Sequence, residues 1–447
     1  MFDSGRLTVA IATLGCKVNQ AESDAYAQRF ADAGFELVAA DQPADVCVIN
    51  SCTVTNVGDQ KSRQLIQRVR RANPDGLVAV TGCYAAIAPG EVERLTGADV
   101  VARLEQRDAL VNLVSERLLE RGMSLPARPR ACGVEGGRAS AACLPEPAGC
   151  RAAPRAPGPL VQASPRTRLN IKVQDGCNDF CTYCIVPFAR GRARSVPLEA
   201  VVAQVRRAVA EGYQEVVLTG VNMTTYGRGS GTSFGHLLEA VLERTAIRRV
   251  RLSSIEPFKF DTAWMSLWGT GRLCRHLHLP LQSGCDATLQ RMRRRYDTDW
   301  YARLIEDIRA AVPGMAIWTD VIAGFPGETD AEFESSLGFV RRMEFGGVHV
   351  FRYSPRSGTK AAAMDCQVMD RTKKARSERL LALSLESRAR FAERLIGSTG
   401  EVLFEEDGTG LTDNYVRIYA DGGTPNTFAK VEFTEPESDG LRGGIRV

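Results

Sequence analysis

Leu169-Asn170-Ile171-Lys172-Val173 leads into Gly176-Cys177-Asn178-Asp179-Phe180-Cys181-Thr182-Tyr183-Cys184. The first run alternates apolar and polar residues, as a half-buried strand does. The second places three cysteines within eight residues at the spacing CxxxCxxC. With neither strand nor helix between them, the three thiolates can ligate one metal centre from a single loop. A structural zinc site takes four protein ligands, and no histidine or fourth cysteine stands nearby. A zinc ion completed by a remote ligand is the competing reading. An iron–sulfur cluster held by three thiolates leaves one iron free for a substrate or cofactor, whereas ferredoxin runs use a tighter spacing and a fourth cysteine.

Working outward, the 447 residues are enough for two or three domains. Apolar residues make up 44% and charged residues 25%, the balance of a soluble globular protein. No apolar run approaches a membrane span and the N-terminus lacks a signal-peptide pattern, so a cytoplasmic protein without a membrane partner is expected. Thirteen cysteines is an odd number. In a long chain without an export signal, metal ligation in a reducing compartment fits them better than disulfides. The net charge of +4 decides nothing about nucleic acid. Arg190, Arg192 and Arg194, and later Arg291, Arg293, Arg294 and Arg295, form basic runs that are either solvated faces or RNA contacts.

Residues 5–120 alternate strand and helix patterns. Leu7–Leu14, Asp45–Asn50 and Leu77–Thr81 are the strand-like runs, with helical patterns around Glu22–Ala33 and Asp59–Ala72. That alternation predicts an open parallel sheet covered by helices. Cys16, Cys52 and Cys83 each follow one of the strands, where open α/β sheets bind their ligands. The spacings of 36 and 31 residues thus converge on one edge, and a second three-thiolate cluster is the reading preferred over three buried core thiols. Cys47, inside its strand, is expected to be such a core residue.

Residues 125–165 are rich in proline, glycine, alanine and arginine, and read as a flexible linker that cannot bury enough apolar surface to fold. Its cysteines, Cys132, Cys143 and Cys150, have no tight spacing and are not expected to bind metal. Residues 166–390 then carry six strand-like runs: Leu169–Val173, Glu215–Thr219, Arg249–Ser253, His276–Leu281, Ile317–Ile322 and Gly347–Tyr353. Helical segments between them predict a partial (β/α)6 barrel, with its site at the strands' C-terminal ends. His276 and His278 alternate along one strand and are read as pocket residues rather than metal ligands. In residues 391–447, Gly400–Glu405, Tyr415–Tyr419 and Phe428–Phe433 read as strands of a small all-β barrel.

The cysteine loop, with Tyr183 before its last cysteine, resembles the signature of the radical S-adenosylmethionine (SAM) enzymes. Thr13-Leu14-Gly15-Cys16-Lys17-Val18-Asn19-Gln20, Asn50-Ser51-Cys52-Thr53-Val54-Thr55-Asn56 and Gly82-Cys83-Tyr84 narrow the resemblance to their methylthiotransferases. Gln174–Cys177, Leu218–Asn222, Arg251–Pro257 and His278–Gly284 are similar to the branch that acts on N6-threonylcarbamoyladenosine at position 37 of tRNA. The isopentenyladenosine and ribosomal protein S12 branches are the alternatives. A non-catalytic iron–sulfur RNA-binding or electron-transfer protein is the rival from another class.

The resemblance implies two 4Fe–4S clusters, one on Cys177, Cys181 and Cys184 that reduces SAM, and one on Cys16, Cys52 and Cys83 that carries sulfur. It implies SAM contacts at Tyr183, Thr219, Gly220, Asn222, Ser254, Gln282 and Gly324, and a TRAM-like RNA-binding module at the C-terminus. Tyr415, Tyr419 and Phe428 would stack on bases there or pack its core. An unactivated C2–H of adenine demands such cofactor chemistry, because side-chain acids and bases cannot break it. The implied partners are the tRNA anticodon loop, a reductant such as flavodoxin or ferredoxin, and a sulfur donor. The protein is expected to be a monomer.

Overall fold

The computed structural model describes residues 6–126, 160–163, 166–406 and 408–446. The linker reading falls mostly outside these residues, as do Cys132, Cys143 and Cys150. No described helix is long and apolar enough to cross a membrane.

The N-terminal sheet has five parallel strands: β1 (Thr8–Thr13), β2 (Glu36–Val38), β3 (Val46–Ser51), β4 (Leu77–Gly82) and β5 (Val100–Val101). Strands β3 and β4 are buried at every position, which is why they read as continuous apolar runs. Helices α1 (Lys17–Asp32) and, later, α5 (Leu110–Glu120) cover one face, with Phe30, Val114 and Leu118 on Val9, Val48 and Leu77. Helices α2 (Asn56–Ala72), α3 (Cys83–Ile87) and α4 (Pro89–Thr96) cover the other, with Ile66, Tyr84 and Val92 on Ile49 and Val80. Cys47 lies in that second core as expected, and burial pushes its thiol up to about 11. The strand order is β2-β1-β3-β4-β5. The short edge strand β2, which sequence periodicity does not reveal, places the reversal of strand order between β1 and β3. Ligands of doubly wound sheets bind at that crevice, and Cys16 and Cys52 directly follow those two strands.

The second unit begins with β6 (Arg168–Lys172), then a two-residue hairpin pair, β7 (Gln174–Asp175) and β8 (Arg194–Ser195), flanking helix α6 (Val186–Arg190). Strands β9 (Glu215–Thr219) and β10 (Arg249–Leu252) complete one parallel sheet, ordered β10-β9-β6. Strands β11 (His276–His278), β12 (Ala316–Ala323) and β13 (Gly347–Arg352) form another. Single parallel bridges, Val250 to Leu273 and Ser254 to His278, join the two into a six-stranded partial barrel. Around it pack α7 (Leu198–Ala210), α8 (Phe234–Arg244), α9 (Asp286–Met292), α10 (Thr298–Ala311), α11 (Asp330–Arg342) and α12 (Asp370–Glu393). Ser233, Asp297 and Thr329 start α8, α10 and α11 by accepting from backbone N–H groups, Thr329 in a capping box with Glu332. After β10 the crossover is a 3-10 segment, Thr262–Thr270, rather than an α-helix.

The C-terminal unit is a closed five-stranded barrel: β14 (Thr399–Phe404), β15 (Thr409–Thr412), β16 (Arg417–Tyr419), β17 (Phe428–Glu437) and β18 (Gly440–Arg446). Its core is Val402, Phe404, Ile418, Val431, Phe433 and Leu441. The sequence reading finds three of these strands. β15 and β18 contain one and three glycines respectively and show little alternation.

This barrel docks through cations rising from β10. Arg249 donates to the Leu411 carbonyl (3.0 Å), and Arg251 to those of Thr412 and Asp413 (both 3.1 Å). Both are paired with Glu215, whose side chain is wholly buried. Burial alone would raise the Glu215 carboxyl, but Arg251, Arg249 and Arg168 outweigh it and hold it at about 2. Glu215→Gln should therefore cost about 3 kcal/mol in a denaturant titration, since two guanidiniums lose their buried counter-charge. Because the folded value lies below the ordinary one near 4.3, this contribution should be complete above that pH and fade as pH falls toward about 2.

Candidate active site

Cys177, Cys181 and Cys184 lie on the loop between β7 and α6. Gly176 enters the loop with φ +72°, and a Cβ there would collide with the Arg192 carbonyl, so only glycine allows the close return of the chain. The Cys177 N–H donates to the Gly191 carbonyl (3.1 Å) and the Cys184 N–H to that of Cys181 (3.0 Å). Donors already face the sulfurs: Asn222 Nδ2 and the Asp179 N–H on Cys177 (3.6 and 3.5 Å), and Arg294 Nη1 on Cys181 (3.6 Å). Lys259 grips both oxygens of Asp179 (2.7 and 2.8 Å), and Glu256 pairs with Arg294. Burial, then the charge of Cys181, pushes the Cys184 thiol up to about 12.

The second set comes from three strand ends. Cys16 is the N-cap of α1, Cys52 follows β3, and Cys83 opens α3. Gly82 makes the turn into α3 at φ +93°, where a Cβ would meet the Ser51 carbonyl. Burial, and then Cys83 and Cys16, push Cys52 up to about 11; burial also raises Cys83, with Cys16 adding to it. Within each set the thiols thus oppose each other's ionisation, and a cationic centre among them relieves that conflict.

A single zinc does not suit either set. Sulfurs sharing one tetrahedral zinc stand about 3.8 Å apart, given a Zn–S bond of about 2.3 Å. Among the described residues, the one group of three ligand atoms all within 4.8 Å of each other is His278, Asp320 and His349, so neither cysteine set is drawn in that tightly. Wider-spaced thiols fit a polynuclear cluster, whose irons are ligated at separate corners.

Arg190 ties together the elements that carry the two sets. It leaves α6 and donates to Glu22 on α1 (2.9 and 3.1 Å), to Asp175 on β7 (3.0 Å) and to Asn19 Oδ1 on α1 (2.8 Å). Asn19 in turn donates to Asn50 Oδ1 (3.1 Å) and the Ser51 carbonyl (3.0 Å), beside Cys52. Burial pushes the Asp175 carboxyl up, but Arg190 and Lys172 outweigh it and hold it at about 2. On the far side Arg356 binds Thr53 (2.6 Å) and Asp59 (2.7 Å). Between the halves lies a cavity of about 520 Å³.

Of the residues singled out from sequence, Cys16, Cys83, Thr219, Gly220 and Ser254 line this cavity. Asn222 sits on Cys177. Tyr183 and Gln282 line a smaller cavity of about 160 Å³ shared with Val54 and Thr55, and the Tyr183 ring stands edge-on to Phe325. Gly324 lies in neither cavity; its N–H is taken by the Glu328 carboxylate (3.2 Å to each oxygen). The cavity's opposite wall holds His276 and His278, read from the sequence as pocket residues, with Asp320, His349 and Trp318, which that reading missed. Ser254 Oγ meets His278 Nδ1 (2.6 Å), and Asp320 binds His278 Nε2 (2.9 Å) and His349 Nδ1 (3.2 Å). Burial would raise the Asp320 carboxyl, but the His278 and His349 imidazoles hold it well below the usual range. Trp318 and Tyr415 complete the wall. One signal was available: the chain has four histidines, and His276, His278 and His349 all line this cavity.

The fold and the cysteine loop define a radical SAM enzyme. Residues 171–340 match the family model described as Radical SAM superfamily, and residues 8–102 match Uncharacterized protein family UPF0004. The solved structure of the radical S-adenosylmethionine methyltransferase TsrM from Kitasatospora setae shares the fold, with a TM-score of 0.56 at 16% identity over 80% of this chain and 77% of that one. The threonylcarbamoyladenosine tRNA methylthiotransferase MtaB of Bacillus subtilis (strain 168) is 39% identical, covering 93% of this chain and 90% of its own. The protein of that name from Thermotoga maritima is 36% identical (89% and 86%). A tRNA-2-methylthio-N(6)-dimethylallyladenosine synthase from Moorella thermoacetica is 34% identical (91% and 89%). The chain belongs to the radical SAM methylthiotransferase family.

Arg190 gives the site its first test. Arg190→Met should cost about 3 kcal/mol, because Glu22 and Asp175 keep buried charges with one cation fewer. Hydrogen exchange should rise in the first turns of α1, where Asn19 and Glu22 lose their anchor, more than in β12 or β13.

Proposed function

We propose that this protein methylthiolates C2 of N6-threonylcarbamoyladenosine at position 37 of tRNA. The observation that carries the reading is a cavity of nucleoside size, about 520 Å³, lined by Cys16 and Cys83 of one triad and by Thr219, Gly220 and Ser254 of the barrel whose loop carries the other. In this assignment Cys177, Cys181 and Cys184 hold the cluster that engages SAM, and Cys16, Cys52 and Cys83 hold the second. Both donor sets fit: each offers three mutually repelling thiols and leaves a corner without a protein ligand. When bound, the clusters and SAM supply reductive SAM cleavage and the sulfur and methyl group that replace the C2 hydrogen.

The chain's own residues bind and orient. Asn222 and Arg294 donate to the sulfurs of Cys177 and Cys181 and offset their negative charge. Thr219, Gly220, Ser254, Gln282 and the Tyr183 backbone border the space open to SAM. Gly324 serves from behind, fixing the turn through Glu328. Trp318 and Tyr415 give the wall aromatic surface beside a base that is unpaired in the anticodon loop or splayed out of it. Arg190 and Arg356 keep the N-terminal sheet pressed on the barrel, excluding water from the reacting face.

Residues 5–120, 166–390 and 391–447 then divide the work into sulfur carriage, SAM chemistry and RNA binding. A monomeric cytoplasmic enzyme served by a flavodoxin- or ferredoxin-like reductant and a separate sulfur donor completes the proposal. The sister substrate, isopentenyladenosine, is less suited to a cavity walled by Lys17 and three histidines.

Mass spectrometry of tRNA nucleosides is the direct test. Expression of this protein should add the 2-methylthio derivative of threonylcarbamoyladenosine, and none should appear in a host that cannot make threonylcarbamoyladenosine. Methylthiolation of isopentenyladenosine instead would overturn the assignment. The two cysteine sets should also fail differently. Cys181→Ala should abolish both 5′-deoxyadenosine and product. Cys52→Ala should lose about four irons, the content of one cubane, and all product, yet still cleave SAM under reductant. A folded Cys52→Ala protein that still forms product would reduce Cys52 to a core thiol.

A further inference from the structure

Two nitrogen-bearing side chains in the large cavity lack a protein partner. His276 is 6% exposed, and its Nδ1 is buried without a hydrogen bond among the described residues. A buried polar atom left unpaired loses its hydration and gains nothing in return, so the position points to a ligand. The ring is held against Tyr415 (centroids 4.6 Å apart) and Trp318 (6.2 Å), so it cannot swing away to find solvent. Lys17, the residue after Cys16, lines the same cavity, and its ammonium makes no hydrogen bond or ion pair among the described residues.

The other charges around the cavity are committed. Arg190 is spent on Glu22 and Asp175, and the Asp320 carboxylate is taken up by His278 and His349. Lys17 is thus the cation left to receive a ligand's anion. His276 is kept neutral: burial lowers its pKa most, and the positive charges of Arg251, His278 and Lys17 add to it. A neutral imidazole offers one donor and one acceptor, which suits a hydroxyl or a ureido group rather than a second charge.

We infer that Lys17 and His276 form the subsite for the N6 arm of the target base, Lys17 taking the terminal carboxylate and His276 the polar group beside it. The inference rests on the substrate reading given above and names the residues that would select it. An apolar arm in the same place would strip water from an ammonium and a buried nitrogen and return nothing. Sites built to pair a polar group reject analogues lacking it far better than apolar pockets reject a missing methylene.

The test uses the reconstituted two-cluster enzyme and anticodon stem-loop RNAs carrying threonylcarbamoyladenosine, its carboxyl methyl ester, or isopentenyladenosine. Wild-type protein should bind the acid about 10- to 100-fold more tightly than the ester, the range of one charged hydrogen bond. Lys17→Gln should bind acid and ester alike, Lys17→Arg should restore the preference, and iron content should be checked to show that Cys16 still ligates. A Lys17→Gln protein with full iron and wild-type preference overturns the inference. So does a wild-type enzyme that turns over the threonylcarbamoyl RNA but treats acid and ester alike, a comparison that needs no variant. Turnover of the isopentenyl RNA with none of the threonylcarbamoyl RNA refutes the underlying substrate reading instead.

Discussion

Arg190 is the joint on which the site depends. Its side chain is 2% exposed, and its guanidinium meets acceptors from both halves of the molecule. Taking a guanidinium out of water costs several kcal/mol, which excellent geometry alone returns. Here Glu22 and Asn19 come from α1, and Asp175 from the strand just before the cysteine loop. Lys172 joins the same two carboxylates (3.1 and 3.3 Å), and buried Arg107 approaches Glu22 (3.9 Å), so cations surround both anions. A small rotation of the N-terminal sheet would break several of these bonds at once. These ion pairs thus help fix the orientation of Cys16 toward the barrel mouth.

Both sheets meet at that joint by their carboxyl ends, and this geometry accounts for the positions of the cysteines. Parallel strands deliver their last residues to one edge, so residues far apart in sequence arrive together without long loops. The cost is that neighbouring thiols oppose ionisation: Cys83 and Cys16 raise Cys52, and Cys181 raises Cys184, each adding to the effect of burial. Binding of a cationic cluster releases those protons and ties strand ends together, so metal loading and the stability of this edge are one equilibrium.

The six barrel strands, and the places of the six cysteines on one loop and after three strands, were legible because each announces itself locally, by a tight spacing or by an apolar run ending in a polar turn. What faces what was not legible. Arg190 and Asn19 are 171 residues apart, and no local pattern states that they touch. β2 spans three residues, too few to show a period, yet it sets the strand order that makes the β1–β3 crevice. β15 and β18 escaped because their glycines carry no side chain to alternate. The basic run at 291–295 turned out to be mixed: Arg294 is buried on Glu256 and Cys181, and Arg291 is paired with Glu332. Charge alone could not separate an RNA contact from such ligand-orienting pairs.

The C-terminal barrel belongs to the cavity, and its aromatics show how. Phe428 lies under Arg248 and Arg249 (4.2 and 4.7 Å from the ring centre), and Tyr419 donates its hydroxyl to Asp439 (2.7 Å). A base stacking on Phe428 would have to displace two guanidiniums, each a favourable cation–π contact. Tyr415 differs. Its backbone takes the left-handed region at φ +70°, uncommon for an aromatic residue, and its ring lies on His276 and beneath Arg251. Arg251 also donates to the Thr412 and Asp413 carbonyls at the start of the same turn. The strained turn is thus held by the buried pair of Arg251 with Glu215, and what it delivers is the Tyr415 side chain to the cavity wall, where it holds His276. A module attached only as a tether would need no such turn. Its placement makes the position of the aromatic wall depend on the same buried cations that dock the barrel.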